Sequence, residues 1–426
     1  MVRSSSPYRR SFAYRVAQLA CWVGERQRRH RQLDPEWLER QALEIAGQPR
    51  FLGTAFREPL RRLTASLQTE AKLHVFGRLN AASNLLQQLV TQAFLERRWN
   101  AGGPSDVDLL RPCRPPVFIV GLHRTGTTLL QRLLAADPAA RPLLYWESTA
   151  PLLVVNNNRP ELSADARRKK ESETLALVKK LVPYLDGIHE TQAEGPEECY
   201  WLLMASLVTR AFGMQWRVPS YETWLDTLTE DDWVGAYRHY LALLRILDGG
   251  MTDRHWLLKC PLHAARIGTL ARLLPQAVFV QTYRDIREST GSLCSLTAAL
   301  RAMGSETWDP EGDGRDVLAS ITRTSRLAAE ATAANPDRVI NVHYRDLVAD
   351  PITAVHAIYD RAGLPLTRAA EQAMRQQLAK PRGGAANRHR YALADFGLDE
   401  AEVLAACPEY VEAERRLASA APVSRP

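Results

Sequence analysis

Two glycines with four residues between them open the chemistry of this chain, in Gly121-Leu-His-Arg-Thr-Gly126-Thr-Thr128. Glycines in such a turn let successive backbone N–H groups point at one anion, and a helix starting there adds its positive end. The spacing is that of a phosphate-binding loop, but Thr127 stands where that loop carries lysine. The cation is instead Arg124, flanked by His123 and Thr125. Further along, Lys259 closes the apolar run His255-Trp-Leu-Leu258. A lysine leaving a buried strand is costly unless it faces a cleft. Two groups are candidate proton acceptors. Glu147, in Tyr-Trp-Glu-Ser148, lies far enough past the loop for the chain to return to the same edge. His263, four residues after Lys259, is an imidazole, a side-chain type suited to act as a base near neutral pH.

These residues need a scaffold that brings them to one edge. Pro116-Val-Phe-Ile-Val-Gly121 is an apolar run entered through proline and ended by glycine, the pattern of a buried parallel strand. A helix is predicted over 126–136, stopped by Asp137-Pro138. Strands are predicted at 255–258, 277–283 and 338–343, with helices between them. Strand–helix alternation predicts an α/β fold, a P-loop-like parallel sheet flanked by helices. Upstream, 35–46, 56–67 and 81–95 carry helical leucine spacing, giving a helical N-terminal region over 32–110 that ends in a Gly- and Pro-rich linker. The α/β domain is expected over 111–426. Residues 160–215 read as helical, part of an insertion around 150–250.

The loop and its strand resemble the 5′-phosphosulfate-binding loop of sulfotransferases that use 3′-phosphoadenosine-5′-phosphosulfate (PAPS), particularly the bacterial and protein-tyrosine enzymes with arginine in the loop. The resemblance implies that His123, Arg124, Thr125, Gly126, Thr127 and Thr128 hold the 5′-phosphate and sulfate. A second segment, Thr282-Tyr-Arg284-Asp-Ile-Arg-Glu-Ser-Thr-Gly-Ser292, is similar to the family's 3′-phosphate site, which implies Arg284 and Ser292 as its ligands. Arginine suits that task through its planar, bidentate fork. Tyr344, in a strand-end Tyr-x-Asp-Leu…Asp-Pro segment, is implied near the adenine. The late basic stretch Lys380–Tyr391 looks like the loop that closes over the 3′-phosphate, which points to Arg388 and Arg390. By the same resemblance Lys259 stabilises the bridging oxygen, and Glu147 or His263 is the base. The implied activity is sulfuryl transfer from PAPS to an alcohol or phenol, with 3′-phosphoadenosine-5′-phosphate (PAP) as product and no metal requirement. The acceptor is a small molecule or a lipid-like hydroxyl compound. Trp201, Trp216 and Trp224 suggest an aromatic acceptor pocket, and His189 and Glu194 could line its acidic side.

Composition narrows the alternatives. Residues 1–31 hold eight arginines and one acid, which is the whole +7 net charge of the 426-residue chain. The rest balances, so the basic character gives no sign of nucleic-acid binding; the arm offers at most weak contact with an anionic membrane surface. No stretch is apolar enough for a membrane span, and the arm lacks a cleavage-site pattern. Six scattered cysteines without paired spacing suit a reducing cytoplasm and no zinc site. Two other functions stay open: a nucleotide-dependent kinase or GTPase, which would need a loop lysine and a metal-binding aspartate at a strand end, and a non-catalytic PAP-binding protein.

Overall fold

The computed structural model describes residues 33–99, 114–156, 158–184, 191–249, 253–380 and 391–419. The basic arm, most of the linker, His189, Arg388 and Arg390 lie outside the described residues.

In chain order the elements are α1 (Pro35–Ala46), α2 (Arg57–Thr69), α3 (Val75–Trp99), β1 (Val117–Gly121), α4 (Thr127–Leu134), β2 (Ala140–Pro142), α5 (Tyr145–Thr149), β3 (Val154–Asn156), β4 (Arg159–Glu161) and α6 (Ala164–Leu181). Three short helices follow, α7 (Tyr200–Met204), α8 (Ala211–Gln215) and α9 (Pro219–Leu225), then α10 (Glu230–Asp248), β5 (His255–Lys259), α11 (Ile267–Leu273), β6 (Val278–Tyr283) and α12 (Ile286–Ala302). The chain continues with α13 (Pro310–Ala334), β7 (Val339–His343), α14 (Tyr344–Ala349), α15 (Pro351–Ala362), α16 (Arg368–Ala379), α17 (Glu400–Ala406) and α18 (Pro408–Ser419).

The predicted α/β architecture is present. Five strands pair in the order β2-β5-β1-β6-β7, and every pair is parallel. Strand β1 is buried along its whole length. Its side chains alternate between two cores: Phe118 and Val120 enter one, Val117 and Ile119 the other. That is the period-2 pattern of a strand covered on both faces. The first core also contains Leu38, Leu60, Leu63 and Leu85, so the N-terminal helices and one face of the sheet share a single apolar interior. Helix α1 is started by Asp34, whose carboxylate accepts from the Trp37 N–H at 2.6 Å, and stopped by Gly47 at φ 62°. Both are ordinary helix punctuation.

Two parts of the sequence reading change. The span 160–215 is not continuous helix: its start lies in the short antiparallel hairpin β3–β4. Strand β2, only Ala-Arg-Pro, adds an edge to the sheet that no apolar run announces. The edge position is the one place in a sheet that tolerates Pro142.

The chain leaves β1 toward β2 at one edge of the sheet and leaves the adjacent β5 toward β6 on the other side, so the connections from these two neighbouring strands run in opposite directions. In open parallel sheets the crevice at the carboxyl ends of such strands is where ligands bind. Gly121 ends β1, Lys259 ends β5, and Arg284 directly follows β6, so all three stand at that crevice.

Candidate active site

The loop after β1 is held tightly. Gly126 takes φ 96° at the N-cap of α4. A Cβ there would lie 2.6 Å from the Tyr344 ring, so glycine is required for both the backbone and the close approach. Arg124 also sits at positive φ, 68°, which is uncommon for a residue with a side chain. Thr125 faces inward: its hydroxyl donates to the Leu122 carbonyl (2.7 Å) and lies 2.5 Å from Thr282 Oγ1. It fastens the loop to β6. Thr127 is buried and Thr128 half-buried at the first turn of α4.

Residues far apart in sequence meet around this loop. Arg124 Nε donates to Ser292 Oγ on α12 at 2.9 Å. Arg284 donates through Nη1 to the Arg124 carbonyl (3.3 Å), pairs with Glu288, and lies 4.5 Å over the Tyr344 ring. The Tyr410 hydroxyl brackets the Arg284 backbone, accepting from its N–H (3.1 Å) and donating to its carbonyl (3.0 Å). Two guanidinium groups, a serine hydroxyl and the N-terminus of α4 thus converge. The arrangement can hold a polyanion with two separated charged groups.

Lys259 is 1% exposed, and its ammonium donates to Glu198 Oε1 at 2.6 Å. Glu198 is set by two flanking ladders. On one side, the Tyr145 N–H donates to the Gly195 carbonyl (3.0 Å) and the Glu197 N–H to the Leu143 carbonyl (2.9 Å); on the other, the Cys199 N–H donates to the Lys259 carbonyl at 3.0 Å. A cavity of about 430 Å³ begins at Glu198 and His123. It runs between α3, contributing Phe76, Asn80 and Asn84, and α6, contributing Leu175, Val178 and Leu181. Trp201 and Met214 line it as well. Trp216 and Trp224 instead pack in the core around Phe212 and Tyr221. The His123 Nε2 atom is buried without a hydrogen-bond partner. Burial, opposed by nearby Glu198 and assisted by Lys259 and Arg124, lowers that imidazole to about 4, so it is neutral near pH 7.

Neither expected proton acceptor reaches this cavity. Glu147 is buried with both oxygens on Arg141, at 2.6 and 2.8 Å, and one also accepts the Leu144 N–H at 3.1 Å. Arg141, on edge strand β2, stacks 4.8 Å over Trp256. The carboxylate therefore joins α5 to the sheet. His263 is a core residue: Nδ1 meets the Tyr237 hydroxyl at 2.8 Å, Nε2 meets Cys199 Sγ at 3.1 Å, and the ring packs on Phe118 and Tyr240. The carboxylate that does meet Lys259 is Glu198, in the Gly-Pro-Glu-Glu-Cys199 segment. Glu194, expected to line the pocket, pairs at the surface with Arg168 at 3.1 Å.

A structural role for Glu147 has a measurable consequence. Glu147→Gln leaves Arg141 without its counter-charge in a nearly closed site and is expected to cost about 3 kcal/mol of stability. Urea unfolding should show that loss, while the folded fraction keeps its turnover. A folded Glu147→Gln protein with turnover down a hundredfold would return this residue to the chemistry.

A model of the sulfotransferase family matches residues 115–368. The chain is 27% identical over 261 residues to the omega-hydroxy-beta-dihydromenaquinone-9 sulfotransferases Stf3 of Mycobacterium bovis and Mycobacterium tuberculosis. That alignment covers 59% of this chain and 63% of theirs, so less than two thirds of the length of these relatives is matched. Among solved structures, sulfotransferase STF1 of Mycobacterium tuberculosis superposes with a TM-score of 0.71 at 29% identity, covering 87% of this chain and 97% of STF1. STF9 of Mycobacterium avium shares the fold with the same TM-score at 24% identity, over 89% of this chain and 96% of its own.

Proposed function

The chain belongs to the sulfotransferase family, and from that premise we propose that it transfers a sulfuryl group from PAPS to the hydroxyl of an apolar alcohol or phenol. The observation that carries this reading is the placement of Glu198, paired with Lys259, in the wall of a largely apolar cavity that also reaches His123 of the loop.

The residues present fit the nucleotide. Gly126 leaves the loop open to a phosphate, Arg124 and the N-terminus of α4 supply positive charge, and the unpartnered His123 Nε2 offers a further polar contact. In this reading the loop residues 123–128 hold the 5′-phosphosulfate, Thr125 by fixing the loop to β6. Arg284 and Ser292 hold the 3′-phosphate, and Tyr344 lies on the adenine side. Arg388 and Arg390 belong to the late loop that would cover it. When bound, the nucleotide supplies an activated sulfuryl group on a good leaving group. The chain's own work is then positioning and charge. Lys259 stabilises negative charge growing on the bridging oxygen. Glu198 takes the proton of the acceptor hydroxyl, and its Oε2 is the oxygen we assign to that step because Oε1 faces Lys259. The apolar side chains of the cavity favour an apolar acceptor over water, which would otherwise compete. Its volume and the apolar part of its lining suit a lipid-like hydroxyl compound, in keeping with relatives named for a hydroxylated menaquinone. We place the reaction in the cytoplasm, where the scattered buried cysteines stay reduced.

The test is a thermal shift without metal. PAP should stabilise the protein by about 2.7 kcal/mol at a hundredfold excess over its dissociation constant. Adenosine 5′-phosphosulfate, which lacks the 3′-phosphate, should do so far less. Equal shifts from the two would remove Arg284 and Ser292 from the 3′-phosphate site, and no shift from either would sink the donor assignment.

A further inference from the structure

The acceptor cavity has a smaller neighbour of about 210 Å³, and His123 and Met214 line both. The two spaces therefore meet at the phosphate loop, with Met214 in their common wall. The backbone of that wall is fixed: Arg301 donates to the Gly213 carbonyl through Nε (3.1 Å) and Nη2 (2.7 Å). The Met214 side chain is only half-buried, at the edge of the core. An unbranched thioether with three rotatable bonds can give way to a ligand without moving that backbone.

The lining of the small chamber differs in kind from that of the large one. Three guanidinium groups border it, and each is already answered. Arg210 pairs with Glu222 (2.5 Å) and Asp226, Arg301 with Asp313 (2.6 Å) and Asp316 (2.7 Å), and Arg323 with Asp226 (2.8 Å). Arg217 shares Asp316 (3.2 Å) and also holds Asp309 (2.5 Å). This network leaves no positive excess to bind an anion. What it leaves is hydrogen-bonding capacity. Glu222 gives Oε2 to Arg210, while its Oε1 is buried without a partner. The hydroxyl-bearing Thr297 and Ser320 line the same chamber. A buried acceptor left unpaired costs stability, and a donor from a ligand removes that cost. The neutral group that both donates and accepts is a hydroxyl.

We propose that the small chamber is a second acceptor subsite, which takes a neutral, hydroxyl-bearing arm of the acceptor, and that Met214 is the movable partition deciding which acceptors reach both chambers. The acceptor is then an amphipathic polyol. Its apolar part lies in the large cavity, the hydroxyl to be sulfated at Glu198, and a further hydroxyl beyond Met214. The sulfation part of this proposal rests on the function proposed above; the binding of a hydroxylated arm does not.

The test compares decanol with decyl glyceryl ether, which has the same alkyl chain and a head with additional hydroxyls. Binding to the full-length protein is read by titration calorimetry, and turnover is read with PAPS. The glyceryl ether should bind about tenfold more tightly and show a kcat/KM higher by a similar factor, the worth of one or two net hydrogen bonds. Ser320→Phe, which fills the small chamber, should bring both ratios to about one. Its PAP-induced thermal shift should match the wild type, which shows that the fold and donor site are intact. Met214→Trp closes the partition from the large cavity and should remove the binding preference in the same way; it decides the matter alone where Ser320→Phe does not fold. Equal affinities of the two compounds for the wild type overturn the proposal. So does a preference that survives these substitutions, which would place the extra hydroxyls within the large cavity. A binding preference that the substitutions remove, with neither alcohol sulfated, would instead count against the proposed reaction and leave the subsite standing.

Discussion

Glu198→Gln is expected to lower turnover by about 10²–10⁴-fold, the usual range for loss of a general base, while leaving PAP binding unchanged. Glutamine keeps the size of the side chain and its contact distance to Lys259 but cannot accept the proton. The PAP thermal shift serves as the control for folding, because the variant leaves a buried ammonium without its counter-charge. Acceptor acidity separates the two partners. A more acidic phenol needs less help from a base and should partly rescue Glu198→Gln. It should not rescue Lys259→Ala, whose loss falls on the leaving-group side, where charge grows only in the transition state. The double variant should be little worse than the poorer single one, as for residues that act as a unit. Glu198→Gln with near wild-type turnover would end this assignment, and full rescue of Lys259→Ala by acidic phenols would reverse the two roles.

Arg124→Ala should reduce turnover by about 10²–10³-fold, comparable to removing one preorganised donor from an anion-stabilising site. Arg124 sits inside the loop, and its guanidinium is fixed by Ser292 at 2.9 Å, so its position is set before any ligand arrives. Lysine in its place should recover part of the loss, because it restores charge without the planar fork. Arg284→Ala should behave differently. In the proposed role, on the 3′-phosphate side and away from the reacting sulfur, its loss should raise the KM for PAPS and leave kcat nearly intact, the signature of uniform binding. Steady-state kinetics on the three variants checks both statements. A pure KM effect at Arg124, or a pure kcat effect at Arg284, would exchange the two arginines.

The parts of the fold that follow from local chemistry were legible in the sequence. Strand β1 is a run of apolar residues between proline and glycine, and it lies where that punctuation places it. The four long strands of the sheet are each an unbroken or nearly unbroken apolar stretch. Strand β2 is not, since three residues including an arginine and a proline carry no period. The start of α3 was also hidden: its first turns bear Asn80 and Asn84, which face the cavity rather than the core, so the leucine spacing begins only later. The choice of carboxylate was beyond local reading for a similar reason. Glu147 and Glu198 each sit beside a Tyr-Trp pair, Tyr145-Trp146 and Tyr200-Trp201. What separates them is a partner distant in sequence: Arg141 on an edge strand that could not be anticipated, and Lys259 at the end of β5. His263 was plausible by spacing, yet the residues that claim both its nitrogens, Tyr237 and Cys199, come from other segments.

The strand order has a consequence for how this chain is made. Both neighbours of Val117 in the sheet, Leu257 and Val278, belong to the second half of the sequence. During synthesis the N-terminal helices and β1 leave the ribosome with one apolar interior prepared and no strand to close it. Such distant parallel pairings make for slow folding, since the long intervening loop must be ordered before any contact is gained. The first third of the chain is therefore the stretch whose apolar surface waits longest for its partners. Destabilising substitutions in β5 or β6 should appear first as poor yield of soluble protein rather than as altered kinetics.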